Sequence, residues 1–444
     1  MGQCCSVHED TYRISHHRYI AIMQSILPSF ATNLLSELEE DIGHRIDDLY
    51  QRLLKGETRV TKSTNPLTTI EIYIYAGVIA LYYGPHSEQC KTISDNLITY
   101  SNVDVKWLWV ALEGLYTDIS QPVSYSLTFN ENDESILPEE CTILLLADFA
   151  TGLRRSTVVL EEARRIEPNV SCVIHGGDTY YSGSVQEQKE YLLEPIMGHF
   201  PNAMVRCLRG NHDLYSGPKG FQYVQDTIHQ SSTYFSLSNS SLLIQGLDTS
   251  VFDDNPLLEG KTMVTLHDKE VAWHCDHVQK AKRDGKKIIL FSHHEPITFN
   301  DKVGIIDGKE PPANISLYRQ LHPIIPSIDA YYFGHQHGFM MYQDYTYRNG
   351  PTLKKPRMIG HGGCPVMSQT LDTMYQVSSY DTTNFDIPSL MPGDWKLGHN
   401  GSVIDTGFVL LRCKKGSIRA EYYNIHSTAL ETYEQAKCVY TEVI

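Results

Sequence analysis

Five short motifs follow one another along this chain, each at the end of an apolar run, and that order restricts the possible folds more than any other feature. They are Ala147-Asp148-Phe149-Ala150, Gly176-Gly177-Asp178-Thr179-Tyr180-Tyr181, Arg209-Gly210-Asn211-His212-Asp213, Ser292-His293-His294-Glu295-Pro296 and Phe333-Gly334-His335-Gln336-His337. The runs before them, Thr142 to Leu146, Cys172 to Ile174, Met204 to Leu208, Lys287 to Phe291 and Ala330 to Phe333, read as buried strands. In an open α/β sheet the carboxyl ends of the strands form the rim at which ligands bind. Carboxylates, an amide, imidazoles and a phenol delivered to such a rim are oxygen and nitrogen donors suited to two metal ions that activate water.

The composition is that of an ordinary globular protein. The chain has 444 residues, 41% of them hydrophobic and 20% charged, which predicts about two or three domains. A formal net charge of -16 argues against nucleic acid as a partner and against an electrostatic grip on anionic lipid. No apolar run reaches the ~18 residues of a membrane-spanning helix. The best candidate, Ile72 to Tyr83, is too short and carries Tyr73, Tyr75, Tyr82 and Tyr83, so it reads as a core element. Cys141, Cys172 and Cys207 fall inside apolar strands and read as reduced thiols packed as small hydrophobes. Sequons such as Asn314-Ile315-Ser316 read as unmodified in the absence of a secretory signal.

The N-terminus carries a signal of its own. Met1-Gly2-Gln3-Cys4-Cys5-Ser6 fits myristoylation at Gly2 with palmitate on Cys4 and Cys5. One acyl chain holds a protein only marginally on a bilayer, and a second makes the attachment stable. The expected location is therefore the cytosolic face of a membrane. Residues 1–16 are expected to form this lipidated segment and 17–135 a largely helical N-terminal extension. Residues 136–427 should form the domain that carries the motifs, and 428–444 a C-terminal tail. Within the third part, Thr157 to Ile166, Gln186 to Met197 and Asp268 to Asp284 read as helices. The runs Gly407 to Arg412 and Ser417 to Ile425 read as a closing hairpin.

The residue types suggest individual roles. Two neighbouring cations need a shared anionic ligand, and Asp178, behind Gly176 and Gly177, suits that place. Asp148 would hold one cation and Asn211 the other, with His293 completing the second. His335 and His337, two positions apart, can each face a different cation. His212 is placed to steady the phosphoryl group or to protonate a leaving oxygen, and Asp213 to orient His212. Arg209 would pair either with substrate phosphate or with a structural carboxylate. His294 would either line the pocket or pack away from it. His175, His361 and Asp248 read as structural residues.

The ordered series resembles the calcineurin-like metallophosphoesterase superfamily over about residues 138 to 427. The resemblance implies a fold of two packed mixed β-sheets flanked by helices, an α/β sandwich. It also implies hydrolysis of phosphate esters, first of all monoesters, by in-line attack of hydroxide at two metal ions (Fe, Mn or Zn). Diesters, or a silent binding domain, are the alternatives. Many members carry Asp-x-His in the first motif, where this chain has Ala150. A subgroup resembling purple acid phosphatases uses instead a Tyr three positions after the bridging Asp, which implies Tyr181. On that pattern Asp148, Asp178, Tyr181 and His337 would hold the first metal, and Asp178, Asn211, His293 and His335 the second.

Overall fold

The computed structural model describes residues 133–252, 264–300, 303, 311–366, 371, 373–399, 403–414, 416–429 and 432–444. The chain divides into two units, 1–97 and 98–444, and all described residues lie in the second. Gly2, Cys4, Cys5, the N-terminal extension as far as residue 132, and most of the segments 253–267 and 301–312 lie outside the described residues.

The described strands, in chain order, are β1 (Glu134–Ile136), β2 (Cys141–Leu146), β3 (Cys172–His175), β4 (Met204–Cys207), β5 (Phe235–Ser238), β6 (Leu242–Leu247), β7 (Lys287–Ser292), β8 (Ala330–Phe333) and β9 (Met340–Met341). They continue with β10 (Tyr345–Thr346), β11 (Thr352–Leu353), β12 (Pro356–Met358), β13 (Thr406–Lys414), β14 (Ser417–Ile425), β15 (Ser427–Ala429), β16 (Thr432–Tyr433) and β17 (Lys437–Val443). The helices that matter to the site are α1 (Arg154–Ile166), α2 (Lys219–Ile228), α3 (Asp268–Arg283) and α4 (Ile315–Leu321). A further helical stretch runs Val185–Glu187, Gln188–Leu193 and Glu194–His199, opened by a capping box between Ser184 and Glu187.

Two mixed sheets hold the domain together, one ordered β1-β5-β6-β7-β8-β12-β9 and the other β17-β14-β13-β2-β3-β4. Strand β2 shows why the motif-bearing runs are mostly apolar. Ile143 and Leu145 face the core shared with the first sheet, while Leu144 and Leu146 face α1 and its neighbours. Alternate residues point to opposite faces, and both faces are covered, so the central positions Ile143 to Leu146 are all apolar. The sheets touch through Tyr332 and Tyr422, whose hydroxyls lie 3.0 Å apart. Arg357 on β12 also reaches the other sheet, forming a buried two-point ion pair with Glu442 on β17 at 2.8 Å.

Parallel pairs β2–β3–β4 and β6–β7–β8 bring six strand ends, five of them followed by the motifs, to the same rim. Among the described residues, the expected strands and helices agree with those observed to within a few residues. The closing hairpin is formed by β13 and β14 in antiparallel register, Lys414 opposite Ser417. Asn314 of the sequon is buried and caps α4, its side chain accepting from the Leu317 amide. The expectation of a C-terminal tail is corrected by β17, which pairs with β14 from Arg419↔Val443 to Asn424↔Lys437. Its half-polar sequence suits an edge strand with one covered face.

Candidate metal centre

The loops after β2, β3, β4, β7 and β8 bring together two groups of donor atoms. In the first, the Tyr180 hydroxyl lies 3.1 Å from Asp148 Oδ1, 3.0 Å from Asp178 Oδ2 and 2.7 Å from His337 Nε2. One hydroxyl hydrogen can serve only one of these three neighbours at a time. Four donors crowding one point fit a cation better than a closed hydrogen-bond network.

In the second group, Asn211 Oδ1 lies 3.2 Å from His293 Nε2 and 3.2 Å from His335 Nδ1. Those two nitrogens are 3.3 Å apart, and Asp178 Oδ1 is 3.4 Å from His293 Nε2. Donor atoms about 2.0–2.2 Å from a tetrahedral cation are themselves about 3.4 Å apart, so this spacing fits a metal ion. The two oxygens of Asp178 thus face different groups, as a shared ligand must. His293 is oriented by its Nδ1, which lies 3.0 Å from the Gly176 carbonyl and leaves Nε2 for the site.

The backbone is unusual at the donors themselves. Asp148, Asp178 and His335 have φ of 52°, 71° and 70°, a region that residues other than glycine seldom occupy and that clusters at functional sites. Gly177, with φ 103°, turns the chain where a side chain would be strained. Gly210 permits a closer approach still: a Cβ there would sit 2.0 Å from Asp178 Oδ1.

Electrostatics follow from burial of unlike charges. Burial, followed by the neighbouring Asp178, pushes the Asp148 carboxyl well above the usual range against the pull of His293. Burial would also raise Asp178, but His293 and His212 outweigh it and hold this carboxylate well below the usual range. Burial disfavours the charged form of His293, yet Asp178 reverses the balance and raises the imidazole to about 10.

The expected residues divide clearly. Asp148, Asp178, Asn211, His293, His335 and His337 all converge, in the two groups that the resemblance implied. The position expected of Tyr181 is taken by Tyr180. The Tyr181 ring packs instead with Tyr215 and Cys364, and its backbone carbonyl lies 2.7 Å from His212 Nδ1. Of the two adjacent tyrosines, it is Tyr180 whose hydroxyl enters the site. Ala150 is next to this exchange, its carbonyl accepting from the Tyr180 amide at 2.9 Å.

His212 is clasped between the rings of Tyr180 and Tyr215, at 4.6 and 4.7 Å. Its Nδ1 is engaged by the Tyr181 carbonyl, and its Nε2 lies 3.8 Å from Asp178 Oδ2, on the side of the site. Asp213 does not orient this ring, contrary to expectation. Its carboxylate accepts from the backbone amides of Asp178, Thr179 and Gly210 and from Gln188 Nε2, tying the loops after β3 and β4 together.

Arg209 follows the structural alternative. It forms a two-point pair with Asp248 and is 5% exposed at its side chain, which corrects its assignment to substrate. His294 stays beside the second group. Its ring is 4.5 Å from that of His335, and its Nδ1 lies 3.0 Å from Thr249 Oγ1. Tyr180, Tyr215 and Cys364 are the neighbours of the site that the motifs did not single out. Tyr215 follows Asn211 by four residues in the turn that includes His212–Leu214, a spacing with no recognisable signature.

Residues 141–339 match the family model for calcineurin-like phosphoesterases. Comparison with curated proteins finds no match. Among solved structures, the chain is similar to a purple acid phosphatase from yellow lupin, with 12% identity, TM-score 0.40, and 68% of this chain and 53% of that chain covered. It thus spans about half the length of the lupin enzyme. A dimetal phosphatase from Danio rerio is similar at 12% identity and TM-score 0.39, over 64% of this chain and 95% of that one. GAP50, described as the anchor in the inner membrane complex of Plasmodium, is similar at 12% identity and TM-score 0.42, over 68% and 88%. The family match and the geometry, rather than these distant likenesses, carry the assignment. Residues 141–339 are therefore identified as a region similar to the calcineurin-like phosphoesterases, and they bring together donor groups that could hold a metal ion.

Proposed function

We propose that the protein hydrolyses phosphomonoesters at a two-metal centre and works at the cytosolic face of a membrane, held there by acyl groups on Gly2, Cys4 and Cys5. The observation that carries the catalytic part is Asp178 placed between two donor groups, with His212 alongside. Two bound cations would neutralise phosphate charge and lower the pKa of a water molecule. Asp148, Asp178, Tyr180 and His337 would hold one of them, and Asp178, Asn211, His293 and His335 the other. Fe, Mn and Zn all accept such oxygen and nitrogen donors.

The protein's own side chains do the remaining work. His212 is held by the Tyr181 carbonyl so that Nε2 faces the site, where it can give a proton to a leaving alkoxide. The buried walls, including Asp148 and His293 at 0% exposure, limit the water that can reach the donors. The Tyr180 hydroxyl fills the first donor group despite Ala150, which weakens the reading of a silent binding domain.

The test is turnover of aryl phosphate monoester and diester substrates by protein reconstituted with each metal in turn. Preference for the monoester supports the proposal, and preference for the diester moves the activity to phosphodiesters. Absence of turnover with every metal overturns it. The membrane part is tested separately: Gly2→Ala should shift the protein from the membrane to the soluble fraction of eukaryotic cells. An unchanged distribution would sink it.

A further inference from the structure

We propose that Tyr215 is the positioning residue that fixes the Asn211 amide for metal ligation. The inference rests on the two-metal reading above. An asparagine amide has two ends of nearly equal shape, and only Oδ1 can ligate a cation. Whatever holds Nδ2 therefore decides how well Oδ1 is presented.

Asn211 is 1% exposed and Tyr215 2% exposed. Nδ2 of Asn211 donates to the Tyr215 hydroxyl at 2.5 Å, its hydrogen bond among the described residues. At the other end of the amide, Oδ1 meets His293 and His335 at 3.2 Å each. With a cation at Oδ1, the buried Nδ2 needs an acceptor, and the phenol oxygen is the atom placed to supply it. A buried donor left without a partner carries a desolvation penalty that a cation's ligand would bring to the binding equilibrium.

The same residue reaches the proton donor. The Tyr215 ring lies 4.7 Å from that of His212, opposite Tyr180. Its hydroxyl and its ring thus serve different partners, and Tyr215→Phe separates them by removing only the first.

The experiment is calorimetric titration of metal-depleted full-length protein with Zn²⁺, comparing the parent with Tyr215→Phe. The parent should bind two equivalents. In Tyr215→Phe one equivalent should weaken about tenfold or more, the range usual for groups that orient ligands, while the other keeps its affinity. Two equivalents bound as in the parent would overturn the inference, and so would equal weakening of both, which marks a general structural role. A parent binding fewer than two equivalents would overturn the two-metal reading first, and this inference with it.

Discussion

Tyr180 and His337 meet at 2.7 Å, the first from the loop after β3 and the second from the loop after β8. That contact brings a phenol into the first donor group, beside Asp148 and Asp178. In protein loaded with ferric iron, Tyr180 should give a visible charge-transfer band. Tyr180→Phe should abolish the band and Tyr181→Phe should keep it. The reverse pattern would return the ligand role to Tyr181.

Asp178 faces both donor groups, so its loss should be felt by both. Asp178→Asn keeps the shape but removes the charge shared between two cations. Metal content by elemental analysis should fall from two equivalents to one or fewer. Retention of both would show that the bridge lies elsewhere.

His212 contributes no oxygen or nitrogen to either donor group at ligand spacing, its Nε2 lying 3.8 Å from Asp178 Oδ2. His212→Ala should therefore leave metal content unchanged while turnover falls by roughly 10²–10⁴, the range of a general acid. Turnover at the parental level would remove His212 from the chemistry.

Arg209 and Asp248 form a charge pair out of solvent, with side chains 5% and 1% exposed. Removing one partner leaves the other buried and uncompensated. Arg209→Met should cost about 3–5 kcal/mol of stability in urea unfolding. A cost near zero would show that Asp248 finds another partner.

His274 supplies the pH dependence. Burial lowers its pKa to about 3, and its Nε2 lies 3.2 Å from Glu270, whose carboxyl burial raises well above the usual range. His274 is thus neutral in the fold, while an unfolded histidine protonates near 6.5. Between those values the unfolded chain binds an extra proton at this position. His274 therefore contributes stability that is lost as pH drops from about 6.5 toward 3 and restored as pH rises, and the raised Glu270 carboxyl opposes that dependence. His274→Gln should remove the His274 contribution, read as a change in the slope of urea midpoints against pH. An unchanged slope in the variant would assign the acid sensitivity to other groups.

The strands that carry the motifs were readable because covering both faces forces an apolar run, as Ile143 to Leu146 illustrates. The donors were readable because few side chains can hold a metal, and they recur where those runs end. Tyr180 was not readable, since the backbone path after Asp178, rather than spacing, decides which of two adjacent tyrosines turns inward. The partners of Asp213 were hidden for a related reason. Its carboxylate is satisfied by amides from two loops that only the folded chain brings together. Arg209 showed its charge but not its carboxylate, which lies 39 positions away. Strand β17 looked like a surface tail because an edge strand alternates polar and apolar residues as exposed chain also does.

The pair between Arg357 and Glu442 has a consequence for how this molecule comes into being. Synthesis must pass position 442 before the guanidinium wedged under the opposite sheet meets its carboxylate. Every group that would grip a cation has by then already left the ribosome. A nonsense codon or a proteolytic cut shortly before β17 would yield a product with all its chemistry present and an orphaned cation in its interior. Such truncated chains should be cleared by quality control, so that the integrity of the far end decides whether the reactive end persists.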